Sequence, residues 1–342
     1  MAKGALKLFT IAIGTILYAC GTSVHAIFPY NEAFRPDSLK SINEQQDLTG
    51  STFLMMMVSS SIMLVLIFYL LSTVVNILKL FVLISGSTSL SFVLWDWFFW
   101  VFRPRLAKYA TYTTYAVSIF LTILWYFTEH WLLTNFIVFC FIVTAISLIK
   151  IRRLQVILMV GIGFLIFDVY WVFLSPLLFG KSVMEVAAKT AAPHIPAAMT
   201  TRDSDGGMSL LGAGDIMLPG TVLDFFLRFD CAYPESRSNL FEVAFFGYIV
   251  GVAVAWIMSF VMQRGQPALL WIFPSVLIPT LIQAWRKRVI RVLWKEGTDK
   301  FDNFEKREGK GNDENGSLNE KCEENVDFDE GLKIDVNFEE AL

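Results

Sequence analysis

Two aspartates lie inside apolar runs of this 342-residue chain: Asp168 in LIFDVYWVF and Asp215 in SLLGAGDIMLPG. If these runs cross a membrane, each carboxylate costs about 2.5–3.5 kcal/mol on insertion scales, so each is a functional candidate. Two carboxyl groups close together in a low dielectric cannot both ionise, and they share one proton. The ionised member can take a proton from water while the neutral member polarises a carbonyl, which is acid–base chemistry suited to amide hydrolysis.

The composition is that of a polytopic membrane protein. Hydrophobic residues make up 55% of the chain and charged residues only 17%, and the mean hydropathy is positive. A soluble domain of this size is normally far more polar. The three histidines and four cysteines are scattered along the chain, so their spacing predicts no metal site.

Nine apolar runs approach the length of about 20 residues that a membrane span needs. They lie at residues 5–28, 52–72, 77–101, 112–128, 131–149, 154–178, 207–227, 240–262 and 267–285. We therefore predict an all-α polytopic fold with about nine transmembrane helices. We divide it into an N-terminal group of about three helices (1–111), a catalytic core (112–295) and a tail (296–342). The tail carries 16 acidic and six basic residues, and such a charged segment is predicted to be disordered.

Three basic clusters orient the predicted spans. They begin at Arg103, Lys150 and Arg286 and are separated by even numbers of spans, so all three fall on one side. The positive-inside rule makes that side cytosolic. This predicts a cytosolic C-terminus and a luminal loop at residues 181–205. The first apolar segment also resembles a signal peptide ending in VHA, but the basic clusters favour an uncleaved first span.

The two carboxylates are predicted to lie at the same depth. Asp168 follows Arg153 by 15 residues, and Asp215 precedes Arg228 by 13. At about 1.5 Å per residue, both lie about 20 Å from the cytosolic face, although their spans run antiparallel. Matched depth is what a pair that shares a proton requires.

The residues around Asp215 suit the same chemistry. Gly212 and Gly214 remove side chains, so that a neighbouring backbone or an extended substrate can approach closely. Pro219 lacks the N–H that would bond to the carbonyl of Asp215, which predicts a loosened helix there. Three other acids lie near predicted span ends, where we expect solvation at the membrane interface: Asp96, Asp224 and Glu242.

Three motifs resemble those of the GxGD intramembrane aspartyl proteases, the group of signal peptide peptidase and presenilin. They are FDVYWVF at 167–173, Gly212, Gly214 and Asp215 in LLGAGDIMLPG, and Pro267, Ala268 and Leu269 in QPALL. They occur in the family's order, in the sixth, seventh and ninth predicted spans. Phe167 stands where the family has a tyrosine, so the hydroxyl beside Asp168 is missing.

The resemblance implies a presenilin-like fold and an aspartic endopeptidase with Asp168 and Asp215 as its catalytic dyad. Gly212 and Gly214 would be a flexible flank, and residues 267–269 would support the backbone of an unwound substrate. The implied partners are the lipid bilayer and single-span type II membrane proteins or signal-peptide remnants. No metal, organic cofactor or nucleic acid is implied, and a homo-oligomer is left open.

Further similarities narrow the branch of the family. The cytosolic C-terminus and QPALL favour signal peptide peptidase-like proteins over presenilins. The segments WVFLSPLLF, LRFD and WRKR...LW look most similar to the branch that includes a Golgi sheddase of type II membrane proteins. We therefore expect a multi-pass protein of the endomembrane system, in the Golgi or endoplasmic reticulum, with endosomes also open.

Other functions use similar residues. A proton- or ion-coupled transporter also has buried carboxylates and broken helices, and a span-binding chaperone of the same fold would not need the aspartates. A site-two-type metalloprotease needs the motif HExxH, which the chain lacks. A rhomboid-type serine enzyme using GGMSL at 206–210 would need a later histidine, yet none follows His194.

Overall fold

The computed structural model describes residues 2–25, 46–47, 50–69, 71–102, 107–180, 195–202, 208–233, 236–262 and 268–298. Most of them are helical. The helices are α1 (Ala2–His25), α2 (Gly50–Tyr69), α3 (Leu71–Phe102), α4 (Ala107–Thr128), α5 (Trp131–Leu148), α6 (Leu154–Val169), α7 (Ser175–Phe179), α8 (Ala213–Ala232), α9 (Leu240–Met262), α10 (Leu269–Arg286) and α11 (Ile290–Lys295).

Five helical stretches among the described residues are long and apolar enough to cross a membrane, and one of them runs from α6 through the next turn into α7. The stretches are Asn76–Trp95, Trp131–Leu148, Leu154–Leu177, Leu240–Ser259 and Leu269–Arg286. The predicted class, a helical polytopic membrane protein, is therefore supported. The number of about nine spans stays a prediction, as does the domain division, whose first boundary falls inside α4. The predicted tail lies outside the described residues, apart from its first three positions.

Helix α8 lies at the centre of the bundle, with most of its residues buried. It packs against α1, α5, α9 and α10. A Cβ atom at Gly220 would lie 2.4 Å from Cδ1 of Ile146 in α5 and 3.6 Å from Cγ1 of Ile16 in α1. The first apolar segment thus supplies core contacts to α8, while its retention as an uncleaved span stays a prediction.

Helices α9 and α10 form an unusually close pair. A Cβ atom at Gly247 would lie 2.2 Å from the carbonyl oxygen of Ser275, and one at Gly251 would lie 2.8 Å from Cα of Ile272. The two glycines are four residues apart and form a GxxxG pattern, which lets helix backbones approach closely in a membrane. This contact fixes the position of α10 in the bundle.

Two short sheets, which the sequence did not predict, add to the helical fold. The parallel pair is β1 (Gln46–Asp47) with β2 (Ile149–Lys150), and the antiparallel pair is β3 (Ala198–Arg202) with β4 (Met208–Gly212). The predicted span at 207–227 is therefore wrong at its start, because β4 occupies 208–212 and α8 begins at Ala213. The sequence carried the signal, since threonines at 200 and 201 favour a strand and DSDGG at 203–207 favours a turn.

Candidate active site

Asp168 lies near the end of α6, where the helix changes its hydrogen-bonding pattern. Its side chain is buried, with 8% exposed. The next turn, Tyr170–Leu174, is a π-helix, a local widening that occurs often at functional sites. The ring of Phe167 packs 6.2 Å from that of Trp171, measured between centroids. Phenylalanine therefore preserves an aromatic contact beside Asp168 without the tyrosine hydroxyl.

Asp215 lies in the first turn of α8, directly after β4. Its side chain is half-buried. The amino-terminal end of a helix carries the positive end of the helix dipole, which reduces the cost of a negative charge there. Pro219 is accommodated inside the continuous helix. The irregular backbone next to Asp215 is therefore the junction with β4, which precedes the aspartate, whereas the sequence predicted loosening on the side of Pro219.

The glycines beside Asp215 differ in what surrounds them. A Cβ atom at Gly212 would lie 3.1 Å from Oδ2 of Asp215, whereas one at Gly214 would meet no atom of the described residues within 4 Å. Gly212 thus leaves room for the catalytic candidate itself. Gly214 is exposed and borders open space next to Asp215.

The fold brings the two aspartates close enough to interact electrostatically. Asp168 is 14 residues beyond the start of α6 at Leu154 (168 − 154), and Asp215 is 13 residues before Arg228 in α8 (228 − 215). At about 1.5 Å per residue, these lengths are about 21 and 20 Å. The part of α8 that carries Arg228 lies level with the start of α6, because Arg228 donates a hydrogen bond to the carbonyl of Ile151 at 2.9 Å.

The third motif lies at the start of α10. Ala268 is the N-cap of this helix, and Leu269 is its first residue and is buried, while Pro267 lies outside the described residues. Helix α10 packs against both α6 and α8. A Cβ atom at Gly161 in α6 would lie 1.6 Å from Cζ of Phe273 in α10, so the ring of Phe273 fills the place of that side chain. Helix α10 therefore contacts both helices that carry the aspartates.

An asparagine holds the hairpin that leads to the site. Asn135 of α5 donates from Nδ2 to the carbonyl of Thr200 at 2.7 Å and accepts from the Thr200 N–H at 2.8 Å. The N–H of Ala213 donates to the carbonyl of Ala197 at 3.0 Å. These bonds fix β3 and the start of α8. Sequence reasoning missed Asn135, although an amide inside the apolar run WLLTNFIVF was a visible signal.

A buried cluster of charges lies at the other end of α8. Oδ2 of Asp224 is 3.0 Å from Nε of Arg228 and 3.6 Å from Nζ of Lys150. Asp224 is fully buried, so the prediction that it is solvated at the interface is wrong. Its spacing of four residues from Arg228 could have indicated an ion pair within the helix. Glu242 is exposed, and the side chain of Asp96 lies outside the described residues.

The chain after α11 closes over this cluster. Thr298 accepts a hydrogen bond from Nη1 of Arg228 at 3.4 Å, and its N–H donates to the carbonyl of Arg152 at 3.1 Å. Gly297 has a φ of +56°, and a Cβ atom there would lie 1.9 Å from the same carbonyl oxygen. Only glycine combines this backbone conformation with so close an approach. This closure is why Asp224 is inaccessible to solvent.

Asp230, in the LRFD segment, caps the next helix. Its Oδ2 accepts from the N–H of Phe241 in the first turn of α9 at 2.8 Å, and Oδ1 accepts from the hydroxyl of Ser238. Among the residues that the structure describes, no cluster of three or more histidine, cysteine, aspartate or glutamate side chains could hold a metal ion.

Apolar helices around two interacting carboxylates define this chain as a polytopic membrane protein with a candidate aspartyl site. The profile of the signal peptide peptidase family matches residues 40–300. The chain belongs to this family.

Several plant proteins are similar to the chain. Signal peptide peptidase-like 5 of Arabidopsis thaliana is 33% identical over 188 residues, which cover 52% of this chain and 35% of that protein. Signal peptide peptidase-like 4 of Oryza sativa subsp. japonica is 29% identical over 331 residues, 85% of this chain and 60% of that protein. The chain thus spans between a third and three fifths of the length of these two curated relatives. No solved structure shows a significant match.

Proposed function

We propose that this protein is an intramembrane aspartic endopeptidase of the GxGD type, with Asp168 and Asp215 as its dyad. The observation that carries the proposal is that two different helices of the bundle bring these carboxyl groups close enough to interact electrostatically. Two neighbouring carboxyl groups inside an apolar bundle cannot both stay ionised, so the pair holds one proton. Membership of the signal peptide peptidase family supports the same activity.

The shared proton allows hydrolysis without a metal. The ionised aspartate removes a proton from water, and the resulting hydroxide attacks the peptide carbonyl. The neutral aspartate donates its proton to the carbonyl oxygen, which gives a neutral tetrahedral diol. The diol then returns one proton to the carboxylate that gave its own, while the other carboxylic acid protonates the leaving nitrogen, so the C–N bond breaks and the dyad again holds one proton.

The surroundings of Asp215 support an extended substrate. β3 pairs with β4 on one side and is held by Asn135 on the other. The remaining edge of the hairpin belongs to β4, which runs directly into Asp215. An unwound peptide can add to such an edge as a further strand. The open space at Gly214 and the start of α10 at Leu269 would then border the scissile bond.

The substrates proposed are single-span type II membrane proteins or signal-peptide remnants, in the Golgi or endoplasmic reticulum. The proposal for substrate class rests on the motif resemblance.

About nine spans with a cytosolic C-terminus are proposed from the three basic clusters. The sequence Asn315-Gly316-Ser317 is a glycosylation sequon. Glycosylation of Asn315 in microsomes would overturn this orientation, and an unmodified Asn315 beside a glycosylated luminal reporter would agree with it.

The test is mass spectrometry of the fragments that the purified, lipid-reconstituted protein produces from type II single-span substrates. Wild type should cut within the span. Asp168→Asn and Asp215→Asn keep the size of the side chain but cannot share the proton, so turnover should fall about 10²–10⁴-fold or more. Glu242→Gln removes an exposed carboxylate and should cleave like wild type. Undiminished cleavage by either dyad variant would reject the proposal, and no cleavage by wild type would favour a transporter.

A further inference from the structure

One buried phenol group lacks a hydrogen-bond partner in the part of the chain that the structure describes. Tyr248 of α9 is 1% exposed, and its Oη atom has no hydrogen-bond partner among the residues that the structure describes. Buried hydroxyl groups in proteins are nearly always hydrogen-bonded, and an exception calls for a physical explanation.

The position of Tyr248 indicates what that explanation is. The neighbouring residue Gly247 lets α9 lie directly against the backbone of α10 at Ser275. Helix α8 packs against α9 as well. In this packing, Tyr248 interacts electrostatically with Asp215 of α8. The phenol is therefore near enough to interact with the carboxyl group that the proposed mechanism uses, and its helix is held in place by a close backbone contact.

We propose that Tyr248 is a positioning residue that donates a hydrogen bond from its hydroxyl to the carboxyl group of Asp215 when substrate is bound. This inference rests on the proposed function. Catalytic hydrogen bonds are often long in substrate-free structures and shorten in the productive complex. The phenol keeps its own proton throughout, so the proton count of the dyad is unchanged.

The hydrogen bond would serve two purposes. It would hold the Asp215 carboxyl group in one orientation, so that the lone pair facing water is the one that removes the proton. It would also offset the single negative charge of the dyad, because a donor near a carboxylate stabilises the charged form. A phenol suits this task, since it is rigid and remains protonated at neutral pH.

The decisive experiment compares Tyr248→Phe with wild type in cleavage kinetics and thermal unfolding. The substitution keeps the ring and removes only the hydroxyl. A hydrogen bond to a charged group predicts a fall in kcat of about 10–100-fold, with KM unchanged. Thermal stability should be unchanged or higher, because the variant removes a buried hydroxyl that has no partner among the described residues. A structural role for the hydroxyl would instead lower the Tm.

A matched control removes a tyrosine hydroxyl away from the site. Tyr126 of α4 is 40% exposed, and Tyr126→Phe should leave kcat at the wild-type value. If Tyr248→Phe keeps wild-type kcat while Asp215→Asn is inactive, this inference is wrong and the proposed function stands. A reduced Tm in Tyr248→Phe also overturns the inference. Absence of cleavage by wild type itself would overturn the proposed function, and the inference with it.

Discussion

Arg228 of α8 donates a hydrogen bond from Nη2 to the carbonyl oxygen of Ile151, 2.9 Å away, just before α6 begins. This bond sets the level of one aspartate-bearing helix against the other. Because both helices then rise by nearly equal lengths, Asp168 and Asp215 reach the same height. The charged end of the bundle thus aligns the site, although it lies about 20 Å away along each helix.

Replacing Arg228 by alanine should destabilise the protein strongly. The variant leaves the buried carboxylate of Asp224 with its more distant partner Lys150, at 3.6 Å. Removing one member of a buried ion pair costs about 3–5 kcal/mol. The measurement is unfolding of the protein in detergent micelles, with Arg286→Ala as the control, because Arg286 is exposed. Equal stability of the two variants would show that the buried cluster contributes little.

Gly214→Ala should affect catalysis without affecting the fold. A Cβ atom at this position meets no atom of the described residues within 4 Å, and alanine has a higher helix propensity than glycine. If a substrate strand occupies the open space, the added methyl group collides with it and KM should rise about tenfold, which corresponds to about 1.4 kcal/mol of lost binding. Kinetics and thermal unfolding of the same sample check both parts. Wild-type KM would mean that the substrate approaches from another side.

Gly247→Val should separate α9 from α10. The new side chain would begin 2.2 Å from the carbonyl oxygen of Ser275, and this oxygen belongs to the backbone and cannot rotate away. Overpacking of this kind costs about 1–3 kcal/mol or more. Cleavage should fall as well, because α10 moves away from α8. Gly14→Val in α1 is the control, since a Cβ atom there meets nothing within 4 Å in the described part of the chain. The packing argument fails if both variants melt at the same temperature.

The two interacting aspartates were easier to find in the sequence than the backbone around them, while their catalytic role stays a prediction. Asp168 and Asp215 stand out because a charge in an apolar run is rare, and counting residues from basic anchors gave their equal height. That counting works because helix rise is constant. The hairpin before Asp215 was missed, because a short apolar strand such as MSLLG looks like the start of a helix.

The partners of buried polar groups could not be predicted, because they come from distant parts of the chain. The contact between Asn135 and Thr200 joins residues that are 65 positions apart, and that between Arg228 and Thr298 joins residues 70 apart. Asp224 was misassigned for the same reason. Because Asp224 lies close to a predicted span end, the sequence indicated exposure to solvent. In the structure, the chain returns at Thr298 and covers this side chain.

Asn135→Leu should loosen the hairpin that leads into Asp215. Leucine keeps a similar volume but removes both hydrogen bonds to Thr200, which together contribute about 2 kcal/mol. The amide of Thr200 should then exchange about 30-fold faster with deuterated water, since exchange follows the free energy of local opening. Turnover should fall as well, because α8 begins one residue after β4 and Asp215 lies in its first turn.

Ser147→Ala provides the control on the same helix, because the buried hydroxyl of Ser147 has no partner in the part of the chain that the structure describes. It should leave both exchange and turnover unchanged. Faster exchange at Thr200 without loss of turnover would separate the hairpin from catalysis, and a substrate strand on β4 would no longer explain how the scissile bond reaches the dyad. Faster exchange at Thr200 together with reduced turnover would show that the amide of Asn135 helps to hold Asp215 in position.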